Sequence, residues 1–179
     1  MHDSSRRIMK DFLTRYLPVD KPLKILDVGS YSVCGSYKDL MSQSWEYVGL
    51  DMNEGPNVDI VPKDVYDWKE IEEESFDVVI SGQAMEHIKW PWKTFEQIDR
   101  VLKIDGLVCI IAPSSGREHK YPTDCYRYLE DGFRALSEWV KWHVLECYAE
   151  RDINKYHLMN KQWQDCVLIA KKVKPFHRL

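Results

Sequence analysis

The stretch LKILDVGS, residues 23–30, decides the fold class of this chain. Its consecutive apolar residues indicate a strand that is covered on both faces, and Gly29 indicates a turn at the carboxyl end of that strand. Four further apolar runs follow, separated by polar or helical stretches. They are YVGLDM (47–52), DIVP (59–62), FDVVIS (76–81) and LVCIIAP (107–113). This alternation predicts an α/β fold with a doubly wound, mostly parallel sheet.

Three segments place apolar residues at helical spacing and are predicted to be helices, which we expect on both faces of the sheet. Their apolar stripes are Ile8, Phe12, Leu13, Tyr16 and Leu17, ending at Pro18; Phe95, Ile98, Val101 and Leu102, before Gly106; and Leu129, Phe133, Leu136 and Val140. Towards the C-terminus, WHVLECY (142–148) and DCVLIAKK (165–172) predict an antiparallel pair of strands at the sheet edge.

Length and charge narrow the class of protein. The chain has 179 residues and a formal net charge of −4, which suits one domain over residues 1–179 and argues against the basic field of a non-specific nucleic-acid binder. It lacks a long apolar stretch and a signal-peptide pattern, so we expect a soluble, cytoplasmic protein without a membrane span. The five cysteines are scattered and form no C-x-x-C motif, which argues against disulfides or a closed zinc site.

The residues at the strand ends point to an adenosine ligand. Asp51 ends the second apolar run, 24 positions after Asp27, where a carboxylate can accept hydrogen bonds from both hydroxyls of a ribose. Neither a G-x-G-x-x-G fingerprint nor a G-K-[ST] loop is present, which favours a ligand without phosphates. Met52 could lie against the adenine face, and Asp64 with Val65 could hold the adenine edge.

These segments together resemble the class I S-adenosylmethionine-dependent methyltransferases. The resemblance covers most of residues 20–115 and is carried by ILDVGS (25–30), YVGLDM (47–52), KDV (63–65), FDVVISGQAMEHI (76–88) and VLKIDGLVCIIAP (101–113). It implies a Rossmann-like fold with a cofactor-binding core at 20–115, preceded by a helix at 1–18. Residues 116–179 would supply a substrate-facing loop, a helix and the last strands. Tyr31 and Val33 stand where most members have glycines, as in small single-domain members that act on glycans or small molecules.

The resemblance also implies which residues hold S-adenosylmethionine. Asp27 and Gly29 would contact the methionine end, Asp51 the ribose, Met52 the adenine face, and Gly82 with Gln83 the region of the methyl group. The full cofactor set is Asp27, Gly29, Ser30, Tyr31, Gly35, Asp51, Met52, Asp64, Val65, Gly82, Gln83 and Glu86.

Candidate catalytic groups follow the fourth and fifth apolar runs. His87 and His119 suit the removal of a proton from an acceptor hydroxyl, and Asp124 with Arg127 could fix its polar groups. The structural alternatives are a helix-start carboxylate at Glu86, a surface histidine at His87, and an Asp124–Arg127 salt bridge that pins the loop. Trp90 and Trp92 could form a pocket wall or pack in the core. No metal is required for methyl transfer.

The predicted function is methyl transfer from S-adenosylmethionine to a small polar acceptor, a hydroxyl of a sugar, glycan or other small metabolite. The alternatives are a non-catalytic S-adenosylmethionine-binding partner or regulatory subunit, and methylation of a protein or nucleic acid. The first helix, the 113–128 loop and residues 149–164 are expected to form an open acceptor site, which a second copy in a homodimer could complete.

Overall fold

The fold is built from six strands, three α-helices and two short 3-10 helices within residues 3–32, 35–150 and 162–174, which this computed structural model describes. The α-helices are α1 (Asp3–Tyr16), α2 (Pro91–Val101) and α3 (Glu130–Trp139), and the 3-10 helices are Tyr37–Leu40 and Met85–His87. The strands are β1 (Leu23–Val28), β2 (Trp45–Leu50), β3 (Phe76–Gly82), β4 (Leu102–Pro113), β5 (His143–Ala149) and β6 (Asp165–Lys171). Val33, Cys34 and most of the segment 149–164 lie outside the described residues.

The six strands form one sheet in the order β2-β1-β3-β4-β6-β5. The first four strands in this order are parallel to one another, whereas β6 runs antiparallel to both β4 and β5. The predicted mostly parallel sheet with an antiparallel C-terminal edge pair is therefore confirmed. Because the chain leaves β1 for one side of the sheet and later returns to its other side, the carboxyl ends of β1 and β3 form a topological switch point, where α/β sheets bind ligands.

Helices cover both faces of the sheet, as predicted. On one face, Phe12 of α1 is fully buried in a cluster with Ile25 and Ile80. On the other face, Phe95 of α2 and Phe133 of α3 pack in a second cluster with the sheet. No helix among the described residues has the length and apolar character needed to cross a bilayer.

Two expectations about the elements were wrong. The DIVP run is not a strand, since it pairs with the sheet only through a bridge between Ile60 and Leu50, and Pro62 has no amide hydrogen to extend it. The second helix ends at Val101, and Leu102 already begins β4. Leu102 is fully buried at the start of β4. An apolar residue in the last turn of a helix would be buried as well, so its apolar character did not distinguish the two elements.

Candidate active site

A cavity of about 680 Å³ opens at the carboxyl ends of β1, β2 and β3, at the switch point. Seven of the predicted site residues line it: Gly29, Tyr31, Asp51, Met52, Val65, Gln83 and His87. Apolar and aromatic side chains make up much of the remaining wall, including Leu50, Pro62, Tyr66, Trp68, Ile88 and Trp90. A largely apolar cleft with a few convergent polar groups is the usual form of a small-molecule site.

A second cleft, of about 890 Å³, lies at the opposite ends of the strands, beside Ile104 and Trp139. Its wall includes the exposed or partly exposed charged groups Glu74, Glu96 and Lys141. It is the larger of the two, but it opens at the amino end of β4. Because α/β sheets bind ligands at the carboxyl ends of their strands, the first cavity is the candidate site.

The turn after β1 requires a glycine. Gly29 has φ +82°, and a Cβ at this position would lie 2.3 Å from the Cβ of Ala84 in the segment after β3. The Gly29 amide donates to the carbonyl of Leu50 at 2.8 Å, which ties the turn to the end of β2. The turn therefore lies between the end of β2 and the segment after β3, and it forms part of the cavity wall.

Asp51 follows β2 directly and lines the cavity. Its Oδ2 accepts a hydrogen bond from the amide of Tyr31 at 3.1 Å, and its Oδ1 accepts one from the amide of Asn53 at 3.2 Å. A carboxylate can accept about four hydrogen bonds, so two backbone donors leave capacity for two ribose hydroxyls. The arrangement fits the predicted ribose contact.

Several buried polar atoms beside the cavity have no hydrogen-bond partner in the described structure: Oδ1 of Asp27, Oγ of Ser30 and Oε1 of Gln83. Tyr47 donates to the other carboxylate oxygen of Asp27 at 2.7 Å. Burial raises the pKa of Asp27 to about 7. Because unpaired buried polar atoms are costly, this set fits a ligand with its own polar groups, such as the methionine end of the cofactor.

Gln83 is held in an unusual backbone conformation at the end of β3. Its φ is +60°, its amide donates to the Ile111 carbonyl at 2.9 Å, and its side-chain nitrogen donates to Asp165 at 2.9 Å. Non-glycine residues in this region of backbone space cluster at functional sites. The location agrees with the contact near the methyl group that the sequence predicts.

Glu86, His87 and His119 form one cluster beside the cavity. Oε1 of Glu86 lies 3.6 Å from Nε2 of His87 and 3.8 Å from Nε2 of His119. The Glu86 side chain is fully buried, which raises its pKa to about 8, and it does not line the cavity. Partial burial lowers the pKa of His87, whose Nδ1 lies 2.6 Å from the carbonyl of Thr123. Glu86 lies in the first turn of the 3-10 helix, as the helix-start alternative has it, but its side chain is buried, and the His87 side chain is only 14% exposed.

The predicted pair Asp124–Arg127 holds the loop that carries His119. Arg127 donates two hydrogen bonds to the Asp124 carboxylate, at 2.6 and 2.8 Å, and a third to the carbonyl of Arg117. The guanidinium holds the pKa of Asp124 well below its usual range. Asp124 also accepts from the amide of His119 at 2.7 Å. Neither Asp124 nor Arg127 lines the cavity, so their direct contact with an acceptor stays a prediction.

Other predicted residues lie beside the cavity rather than on its wall. Asp64 accepts from the amide of Tyr66 at 2.8 Å and shapes the turn that presents Val65. Gly82 faces Tyr37, whose hydroxyl would be 1.9 Å from a Cβ at that position. Gly35 is in a left-handed conformation at the end of the first loop. Of the two tryptophans, Trp90 lines the cavity and Trp92 does not.

The sequence did not indicate the part of the wall formed by Tyr66, Trp68 and Thr123. Trp68 is almost fully buried, and its ring nitrogen donates to the carbonyl of Val65 at 3.0 Å. The aromatic residues directly after the KDV motif are the signal that could have found this wall. They were missed because the segment has no regular secondary structure to set a periodicity.

The chain is similar to known methyltransferases in part of its sequence and in its fold. Residues 26–110 match a family described as a methyltransferase domain. The structure is similar to a SAM dependent methyltransferase from Aquifex aeolicus, with TM-score 0.66 and 17% identity over 96% of this chain and 90% of that chain. It is also similar to a SAM dependent methyltransferase from Archaeoglobus fulgidus, with TM-score 0.65 and 20% identity over 94% of this chain and 95% of that chain.

A third similar structure is the 1,6-didemethyltoxoflavin-N1-methyltransferase of Burkholderia thailandensis, solved with 1,6-didemethyltoxoflavin and S-adenosylhomocysteine. Its TM-score is 0.70 at 15% identity, over 95% of this chain and 79% of that chain. None of the curated proteins matches the chain in sequence. At these identities the structural likeness establishes the fold, and the matched segment 26–110 contains Asp27, Asp51 and Gln83 of the cavity region. Residues 26–110 therefore match the methyltransferase domain family, and the chain as a whole has the fold of SAM dependent methyltransferases.

Proposed function

We propose that this chain is an S-adenosylmethionine-dependent methyltransferase and that it methylates a hydroxyl oxygen of a small polar acceptor, such as a sugar or a metabolite of similar size. The observation that carries the proposal is the position of His87, which lines the cofactor cavity and also belongs to the cluster with Glu86 and His119. Ionisable groups are thereby concentrated on one side of the cavity, which suits an acceptor that must lose a proton.

The cofactor-binding residues of the proposal are those of the switch point. Asp51 would accept hydrogen bonds from the ribose, and Asp27 would pair with the ammonium group of the methionine end. Met52, Val65 and Trp68 provide apolar surface for the adenine. When bound, S-adenosylmethionine supplies a methyl group that is activated by its sulfonium sulfur.

The remaining work of the chain is to orient the acceptor, activate it and exclude water. His87 keeps its Nδ1 on the Thr123 carbonyl, so its Nε2 is free to act, and the lowered pKa of the ring keeps it neutral at pH 7. The ring of Tyr121, which lies on the cavity wall, is 6.0 Å from that of His87 and 6.1 Å from that of His119. These rings offer apolar faces to a small acceptor beside the activating groups.

The experiment is to incubate the purified protein with S-adenosylmethionine and a panel of acceptors, and to measure the release of S-adenosylhomocysteine. We expect release with hydroxylated small molecules and none with peptides or nucleic acids. His87→Ala and His119→Ala should lower turnover by about 100-fold while cofactor affinity changes little, as for the loss of an acid–base group. His143→Ala, in an exposed histidine on β5, is the matched control and should retain full turnover.

Three results would contradict the proposal. Methylation of a nitrogen or carbon atom of the acceptor would refute the hydroxyl assignment. Full turnover of both histidine variants on the true acceptor would show that the cluster does not activate it. Tight cofactor binding with no release from any acceptor class would favour a non-catalytic binding partner.

A further inference from the structure

The Glu86–His87–His119 cluster has the spacing of a metal site. Its three candidate ligand atoms, one from each side chain, lie within 4.8 Å of one another. The separations of 3.6 and 3.8 Å from Oε1 of Glu86 to the two Nε2 atoms are longer than hydrogen bonds. Ligand atoms about 2.1 Å from a tetrahedral ion lie about 3.4 Å apart, so side-chain shifts of a few tenths of an ångström would bring both pairs to coordination distance. The two imidazole nitrogens, which lie within 4.8 Å of each other, would have to reach the same separation.

The imidazole of His87 is oriented as a metal-binding histidine is, whereas Nδ1 of His119 lies near a carboxylate without a hydrogen bond to it. The Nδ1 of His87 faces the Thr123 carbonyl at 2.6 Å, and the Nδ1 of His119 faces the Asp124 carboxylate at 3.5 Å. A histidine ligand usually donates its second ring N–H to a carbonyl or carboxylate, which fixes the tautomer and leaves the other nitrogen for the ion. In this cluster the remaining nitrogen of each ring faces Glu86.

The carboxyl group at the centre of the cluster has no hydrogen-bond partner in the described structure. It belongs to Glu86, which is fully buried. The nearby guanidinium of Arg127 is engaged with Asp124 and with the carbonyl of Arg117. A cation between Glu86 and the two imidazoles would pair with the ionised carboxylate, since buried charges are normally paired or coordinate a metal.

The donor set selects the kind of ion. Two imidazole nitrogens and one carboxylate suit zinc and other divalent first-row metals, whereas Mg²⁺ prefers oxygen ligands. The His87 and His119 side chains are 14% and 26% exposed while Glu86 is 0% exposed, so the free coordination positions would face outwards. Three protein ligands with an open position form the usual arrangement of a catalytic rather than a structural zinc site.

We infer that Glu86, His87 and His119 bind one divalent first-row transition metal ion, with Asp124 and the Thr123 carbonyl orienting the two histidines. Where the proposed function holds, an open position of this ion would take the acceptor oxygen at the edge of the cofactor cavity, which His87 lines. With the ion bound, Nε2 of His87 is a ligand, and the ion in place of the free imidazole would activate the acceptor by lowering the pKa of the coordinated hydroxyl. The metal site itself does not depend on the proposed function.

The test is a calorimetric titration of chelator-treated, dialysed protein with Zn²⁺. We expect one ion per chain with a Kd below about 1 μM, and no comparable binding of Mg²⁺. Glu86→Gln and His119→Ala should each weaken Zn²⁺ binding by at least about 100-fold, because even the loss of an outer-shell partner costs up to that much. His143→Ala is the matched histidine control and should bind Zn²⁺ as the unmodified chain does. Thermal unfolding without metal shows whether each variant is folded.

Absence of Zn²⁺ binding by the folded protein would overturn the inference. Equal binding by Glu86→Gln, His119→Ala and the unmodified chain would also overturn it, since the ion would then be bound elsewhere, for example at Cys125. Methyl transfer is not needed for this readout. If the protein binds Zn²⁺ at the cluster but methylates no hydroxyl acceptor, the proposed function is wrong and the metal site stands. If the protein methylates hydroxyl acceptors but does not bind Zn²⁺, the metal site is wrong and the proposed function stands.

Discussion

At the scale of single residues, Asp51 is where the identity of the ligand can be tested. Asp51→Ala should weaken S-adenosylmethionine binding by at least about 100-fold, since two hydrogen bonds to a charged group contribute about 3 kcal/mol together. Glu54→Ala, in an exposed acidic residue of the same segment that does not line the cavity, should bind normally. Isothermal titration calorimetry measures both affinities. An unchanged affinity in Asp51→Ala would contradict the ribose contact.

Asp27 predicts a pH dependence of cofactor binding. Its pKa in the free protein is raised to about 7 by burial, whereas pairing with an ammonium group requires the ionised carboxylate. Affinity should therefore rise with pH up to about 7 and fall at lower pH, approaching tenfold per pH unit. Calorimetry between about pH 5.5 and 7.5 checks the slope, which Asp27→Asn should abolish. A flat profile in the unmodified chain would exclude Asp27 from the contact.

Individual site residues were predictable where a strand end determines their position. Asp51 and Gly29 follow β2 and β1 directly, so the apolar runs predicted their place on the cavity wall. The meeting of Glu86 with His119 was not predictable, because it depends on how the loop after β4 folds back. In that loop, the amides of Cys125 and Tyr126 donate to the Glu86 carbonyl at 2.7 and 3.2 Å, contacts that no sequence spacing indicates.

At the scale of elements, α1 is the helix that covers one face of the sheet. Phe12 is fully buried between α1 and the sheet, and Phe12→Ala should lower the free energy of unfolding by about 3–5 kcal/mol through the cavity it leaves. Lys10→Ala, in an exposed residue of the same helix, should change it by no more than about 0.5 kcal/mol. Urea unfolding measures both. A small loss in Phe12→Ala would show that α1 contributes little to the core.

The elements predicted from the sequence were those with an unambiguous apolar pattern. Strands β1, β3 and β6 read as continuous apolar runs because both of their faces are covered, and α1 ends just before Pro18, as its pattern predicted. The secondary structure of the crossover from β1 to β2 was harder to predict from the sequence. Within its described part, the regular structure is the 3-10 helix Tyr37–Leu40, too short for an apolar stripe to repeat.

At the scale of the whole molecule, the cavity joins parts of the chain that are distant in sequence. Its wall combines the turn after β1, the end of β2, the segment around Trp68 and residues 121–123. A ligand that touches all of these binds the folded state and not the unfolded chain. At 100 times its Kd, S-adenosylmethionine should stabilise the fold by about 2.7 kcal/mol and raise Tm by about 5–10 °C.

Thermal unfolding with and without the cofactor measures this shift, and two controls define its origin. NAD should produce no shift, because the loop after β1 lacks the glycines that let a backbone approach a pyrophosphate. Asp51→Ala should lose the shift while keeping the Tm of the free protein, since Asp51 is a partly exposed ligand contact and not part of the core. A shift with NAD equal to that with S-adenosylmethionine would mean that the cavity recognises adenosine alone, and the discrimination assigned to the first loop would then be wrong.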